Sequence, residues 1–95
     1  MIIQIIKLKS KLPEEELLRR AKERESQFRS LPGLIQKYYV KLDQPQQYGG
    51  IYIWDSEESL KSYGKSALAS SIPEAYEIVE APNIEILNVL FKLRE

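Results

Sequence analysis

A single α+β domain, with two helices laid on one face of a four-stranded antiparallel sheet, is the fold this 95-residue sequence predicts. Three observations predict it. Strand-like and helix-like segments follow one another in the order β-α-β-β-α-β. A polar loop, Asp43-Gln44-Pro45-Gln46-Gln47, separates the two middle strand-like runs and suits a hairpin. The first and last runs are apolar at both parities, so neither face of those strands is written for water.

Residues 1–9, Met-Ile-Ile-Gln-Ile-Ile-Lys-Leu-Lys, read as the first strand. Pro13 opens a helix, because a first-turn residue needs no N–H. Glu14, Glu15 and Glu16 follow, with Arg19, Arg20 and Lys22 further on, a polarity that complements the helix dipole. Glu15–Arg19 and Glu16–Arg20 have i,i+4 spacing. Leu17, Ala21, Phe28 and Leu31 form the apolar stripe, with Leu18 beside it, and Pro32-Gly33 stops the helix. Leu34 to Leu42 and Tyr48 to Trp54 are the middle strands, rich in Ile, Tyr and Val. Asp55 offers an N-cap with Glu58 three residues on. The second helix is predicted from about Ser56 to Ser71, its inner side carrying Leu60, Tyr63, Gly64, Ala67, Leu68 and Ser71. Pro73 and Pro82 bracket an extended or irregular connection through Tyr76, and Ile84 to Leu93 is the last strand.

That order is the ferredoxin-like split unit. Both helices cover one face of the sheet. Ile2, Ile3, Ile5 and Ile6, with Ile86, Leu87, Val89 and Leu90, leave no polar face opposite them. A second copy of the same sheet is the simplest cover, so a homodimer joined through sheet faces is expected, forming an α/β barrel.

Composition removes many functions. Fourteen basic residues balance fourteen acidic ones, which leaves no electrostatic footprint for nucleic acid or an anionic membrane. No apolar run is long enough to span a bilayer, and the first residues lack a signal peptide's basic leader; the cytoplasm is the expected compartment. There is no cysteine and no histidine. Thiolate nucleophiles, imidazole bases and the usual zinc, iron and haem ligands are therefore missing. No Gly-rich strand-to-helix turn cradles a dinucleotide. No cofactor and no metal are expected, a weaker inference for flavin, which can bind through its ring.

The most informative stretch is Tyr48-Gly49-Gly50-Ile51-Tyr52-Ile53-Trp54-Asp55-Ser56-Glu57-Glu58-Ser59-Leu60, a strand ending in the sole tryptophan and running straight into a helix. It resembles the dimeric α/β-barrel monooxygenases, the antibiotic-biosynthesis type and its YdhR-like branch. Leu31-Pro32-Gly33-Leu34 before the second strand is a further point of likeness. The resemblance implies an oxygenase that needs no cofactor and acts on an aromatic or polycyclic phenol or quinol in a cavity within each subunit. It also implies that Trp54 borders that cavity. No histidine can ligate iron here, so haem cleavage of the kind related barrels perform is not expected.

Candidate site residues follow. Tyr52 and Gly50 share the parity of Trp54; Gly50 leaves room for a ligand or marks a bulge. Trp54 either lines the cavity or fills the sheet–helix boundary. Gln4 and Asn88 are amides inside apolar strands. Related barrels carry an amide on the first strand, which aims Gln4 at the cavity; Asn88 is expected to pair internally or across subunits. Arg24 lies between Ala21 and Phe28, either snorkelling or facing an enolate or carboxylate. Gln4, Arg24 and Trp54 are the catalytic candidates, and Tyr39, Tyr52, Trp54, Tyr63 and Tyr76 the substrate-binding ones. The three adjacent glutamates read as a solvated helix start. No general base is evident beyond a Tyr or Lys of shifted pKa.

Two other classes share the element order. An RNA-recognition motif would need a basic-Gly-aromatic-Gly-aromatic third strand, and Gln47 to Trp54 puts glycines where stacking aromatics belong. A non-catalytic small-molecule-binding or regulatory module of the same fold remains the alternative.

Overall fold

The computed structural model describes residues 1–94; Glu95, the last residue of the predicted domain, lies outside them. The elements are β1 (Ile2–Lys9), α1 (Glu14–Glu23), α2 (Glu25–Arg29), β2 (Leu34–Lys41), β3 (Gln47–Trp54), α3 (Glu57–Gly64), α4 (Ala67–Ser70), α5 (Ile72–Ala75) and β4 (Asn83–Asn88). The sheet is antiparallel, in the order β2-β3-β1-β4. This is the predicted α+β ferredoxin-like fold, with the sheet open.

Period-two alternation sorts the sheet into two faces. Ile2, Gln4 and Ile6 of β1 and Tyr48, Gly50, Tyr52 and Trp54 of β3 are buried toward the helices. There they meet Leu17, Ala21, Phe28, Leu60, Tyr63 and Ile72. The opposite, helix-free face carries Ile3, Ile5, Ile51 and Ile53, which pair across β1 and β3, with Leu87 and Tyr38 on the flanking strands. Its centre is apolar, as the run of isoleucines predicted, while Lys7 and Glu85, ion-paired at 3.7 Å, and Gln36 share its parity.

Both predicted helices are broken. A straight helix from Pro13 to Leu31 would set the Arg24 guanidinium in the core between Ala21 and Phe28, at high desolvation cost. Instead the chain kinks at Arg24 (φ −96°, ψ 0°), and Phe28 alone continues inward from α2. The second helix is three short pieces. The Ser66 hydroxyl accepts from the Ala69 N–H (3.2 Å), competing with helix continuation, and Pro73 cannot donate to a continuing ladder but suits the first turn of α5. The stretch after Pro73 is thus helical before it becomes irregular. Gly64 and Ala67, expected on the inner side, are exposed.

The cap of α3 is Ser56, whose Oγ accepts from the Ser59 N–H (3.2 Å), not Asp55 with Glu58. The Asp55 carboxylate lies below its ordinary range because Ser59 and Ser56 donate to it. Arg19 pairs with Glu16 and Glu23 rather than Glu15, while Arg20 bonds Glu16 (2.9 Å) as expected and reaches Glu77 (3.0 Å). β4 stops at Asn88 because its neighbour β1 begins at Ile2, the partner of Asn88. Beyond it the Val89 N–H donates once more, to the Met1 carbonyl (3.1 Å), and Leu90, Phe91 and Leu93 lie exposed. Asn88 is exposed rather than internally paired.

The turn before β2 explains Pro32-Gly33. Gly33 has φ +80°, and a Cβ there would sit 2.1 Å from Ser59 Oγ and 2.6 Å from Asp55 Oδ1. Its carbonyl accepts from the Asp55 N–H (2.8 Å). That close approach ties the start of α3 to the start of β2. No helix among the described residues is long and apolar enough to cross a membrane.

Candidate functional site

The parity of β3 stacks three large residues under the helices. Tyr52 and Trp54 lie parallel, centroids 6.1 Å apart at 5°, and Tyr63 of α3 tilts against both at 5.6 and 5.3 Å. Phe28 closes the cluster 6.4 Å from Tyr52 and 6.2 Å from Tyr63. Trp54 is wholly buried, and its Nε1–H donates to Gln4 Oε1 (3.0 Å). Each polar end in this wall thereby has a partner, as burial requires. The Tyr52 and Tyr63 hydroxyls lie 3.3 Å apart.

A cleft opens beside this wall. Its floor is Ile6, Leu8, Tyr48, Gly50 and Tyr52 of the sheet; Leu17 and Ala21 of α1, with Ile72 and Tyr76, form the roof. Lys37 and Tyr39 of β2 close its outer side. The accessible space inside is about 40 Å³, room for a few waters. Beyond Lys37 and Tyr39, which line both, lies an open groove of about 400 Å³ bordered by Phe28, Glu25 and Arg29. Those two side chains are the partition.

Lys37 is the residue the sequence reading missed. It pairs across the strands with Tyr52, and its Nζ lies 3.4 Å from the centroid of Phe28, 4.4 Å from Tyr39 and 4.6 Å from Tyr52. No carboxylate pairs with it among the described residues. Burial, with the like charge of Arg24 second, lowers its pKa from 10.5 to about 7. The ring faces pull the other way, favouring the ammonium by roughly 0.5–1 kcal/mol each, and burial wins. The i,i+2 spacing of Lys37 and Tyr39 was a usable signal, but a register shift between Leu34 and Gln36 hides which parity of β2 faces inward.

The tyrosines move oppositely. Burial raises Tyr39 to about 12 and also lifts Tyr52, Tyr63 and Tyr76, so none of them is a base near neutral pH. Arg24 donates to Ser71 Oγ (2.8 Å) and Leu68 O (3.4 Å), with its Cζ 5.6 Å from the Tyr76 ring centroid and 5.9 Å from that of Phe28. Its charge opposes the rise at Tyr76, yet no hydrogen bond of ordinary geometry joins them. Arg24 Nε and the Tyr76 hydroxyl are buried without a partner among the described residues.

Of the predicted residues, Tyr39, Tyr52 and Tyr76 converge on the cleft together with Gly50, which is no bulge. Trp54 does not border it. The indole sits one layer behind Tyr52, because its strand-end position falls beneath α3 rather than beneath the gap between α1 and α5. Gln4 and Tyr63 belong to the same rear layer, and Arg24 adjoins the cleft behind Tyr76 and Phe28. No group of three or more carboxylates converges as a metal site among the described residues.

The family model described as "Putative mono-oxygenase ydhR" matches residues 2–93. No curated protein matches the chain. Among solved structures, the NE2512 protein of unknown function from Nitrosomonas europaea superposes with a TM-score of 0.78 at 16% identity, covering 99% of this chain and 93% of that one. SnoaB, a cofactor-independent oxygenase from Streptomyces nogalater, gives 0.77 at 11% identity over 99% and 97%. A conserved protein from Methanosarcina mazei Go1 gives 0.71 at 22% over 92% and 91%. At these identities the likeness establishes the fold.

Proposed function

The chain belongs to the family described as Putative mono-oxygenase ydhR, and from that premise we propose a monooxygenase acting, without a cofactor, on an aromatic or polycyclic phenol or quinol held between sheet and helices. The observation that carries this reading is the aromatic cleft walled by Tyr52, Tyr39 and Tyr76 with an amine at its mouth, Lys37, that no carboxylate pairs among the described residues. In such chemistry the ionised ring itself supplies the electrons that reduce O2. One oxygen atom enters the product and the other leaves as water. The protein contributes a dry cavity, orientation and stabilisation of the developing anion. Tyr39, Tyr52 and Tyr76 contact the ring; Gln4, Trp54 and Tyr63 hold Tyr52 in place; Arg24 supplies positive charge behind Tyr76. A substrate larger than a few waters requires Lys37 and Tyr39 to swing apart, merging the cleft with the outer groove.

The working unit of this proposal is a cytoplasmic homodimer closed through the helix-free sheet faces, supported by the apolar patch of Ile3, Ile5, Ile51 and Ile53. An obligate interface of this type buries on the order of 2,000 Å² or more. The small inner volume favours a second reading, a non-catalytic small-molecule-binding or regulatory module. Oxygen-electrode assays over a panel of quinols and polycyclic phenols decide between them. Uptake with at least one member supports the oxygenase; no uptake with any, alongside tight binding of a small molecule, supports the binding module.

A further inference from the structure

Lys37 stands out among the cations of this chain. It is half-buried, flanked by the faces of Phe28, Tyr39 and Tyr52, and has no carboxylate partner among the described residues. A second feature adjoins the same cleft, at Tyr76 of its roof and Arg24 behind it. Arg24 Nε and the Tyr76 hydroxyl are buried without a hydrogen-bond partner among the described residues, and buried polar groups of this kind are costly unless something pairs with them. An oxygen anion brought into the cleft would satisfy both. The charged and titratable groups around Lys37 are Arg24 at the α1–α2 kink, Glu25 of α2 at the groove with its ion-pair partner Arg29 (3.0 Å), Tyr39 of β2, Tyr48 and Tyr52 of β3 and Tyr76 after α5.

Resting on the phenolic substrate proposed above, we propose that Lys37 is the base of this cavity: its neutral amine takes the hydroxyl proton of the phenol, and Arg24 Nε and Tyr76 Oη–H hold the phenolate oxygen. The step is a proton transfer alone. The substrate O–H breaks, an N–H forms on Lys37, and the electron pair stays on the oxygen, giving an ammonium–phenolate pair in place of two neutral groups. Burial supplies the neutral amine near pH 7, whereas the tyrosines, all shifted upward, cannot accept that proton. The assignment makes Lys37 both partition and base, since the side chain that must move to admit a ring is the one then left beside its hydroxyl.

2-Naphthol is a suitable probe, because its neutral and ionised forms absorb differently and it is neutral in solution at about pH 8. On the wild-type protein the bound probe is expected to show the naphtholate band with no net proton released to a weak buffer, the amine having kept it. Lys37→Met should bind it as neutral naphthol. Lys37→Arg, a fixed cation, should release about one proton for each naphtholate it stabilises. Neutral naphthol on the wild type, an undiminished naphtholate band in Lys37→Met, proton release by the wild type, or no binding at millimolar probe each overturns the assignment. Circular dichroism checks that the variants fold, and if one does not, the wild-type spectrum and proton count decide alone. Oxygen uptake plays no part in this test. Ionisation without uptake would sink the oxygenase reading and leave Lys37 standing, and uptake without ionisation would do the reverse.

Discussion

Burying Lys37 should make folding stability depend on pH in a way that one substitution removes. The ordinary lysine value is 10.5 and the folded value about 7. Between these the unfolded chain carries a proton that the folded chain lacks, so stability rises as pH climbs above about 7 and is lost as pH falls back through it. From about pH 6 to about pH 9 the full shift contributes roughly 2.5 kcal/mol, and the part exposure of the side chain trims this to about 2 kcal/mol. With no histidine or cysteine in the chain, and with Tyr39, Tyr52, Tyr63 and Tyr76 all shifted upward, no other of these side chains enters that window. Urea unfolding across it, followed by circular dichroism, should show the wild-type midpoint rising by about 0.7–2 M, given typical slopes of 1–3 kcal/mol/M. Lys37→Met should be nearly flat, since methionine lies along the same rings without a charge. A flat wild type, or a variant with an undiminished slope, would refute the desolvated amine and with it the physical basis for a base at this position.

Three further outcomes are expected. Trp54→Phe keeps the stacked wall but strands buried Gln4 Oε1 without its donor, and urea unfolding should register a loss of about 1–3 kcal/mol. Gly33→Ala combines a positive φ with a Cβ pressed on Ser59 Oγ; it should cost about 2 kcal/mol or more, and a thermal midpoint within error of wild type would count against that close approach. Ile51→Lys places a charge in the middle of the helix-free face, opposite Ile5; sedimentation should find the wild type dimeric and this variant monomeric at micromolar concentration, and a monomeric wild type would end the sheet-to-sheet proposal.

Local pattern alone determined the element order, the burial of Tyr52 with Trp54 on one parity, the glycine at position 33 and the apolar centre of the helix-free face. Each depends on near neighbours in sequence, through strand alternation, turn chemistry and capping propensity. Even there the local competition was close: Ser56 took the cap that Asp55 offered, and Ser66 and Pro73 cut a helix whose apolar spacing looked continuous. What only the tertiary structure decided is the identity of the site. Gln4 and Trp54 satisfy each other across the β1–β3 ladder, so the amide and indole that looked available are the rear wall of the cluster. Lys37, unremarked beside Gln36 in a strand of uncertain parity, comes to face Phe28 and Tyr52 only because a register shift in β2 turns it inward. A strand's periodicity says which residues share a face. Which of them loses its water, and therefore which can have its proton affinity changed, depends on what the rest of the chain lays over that face.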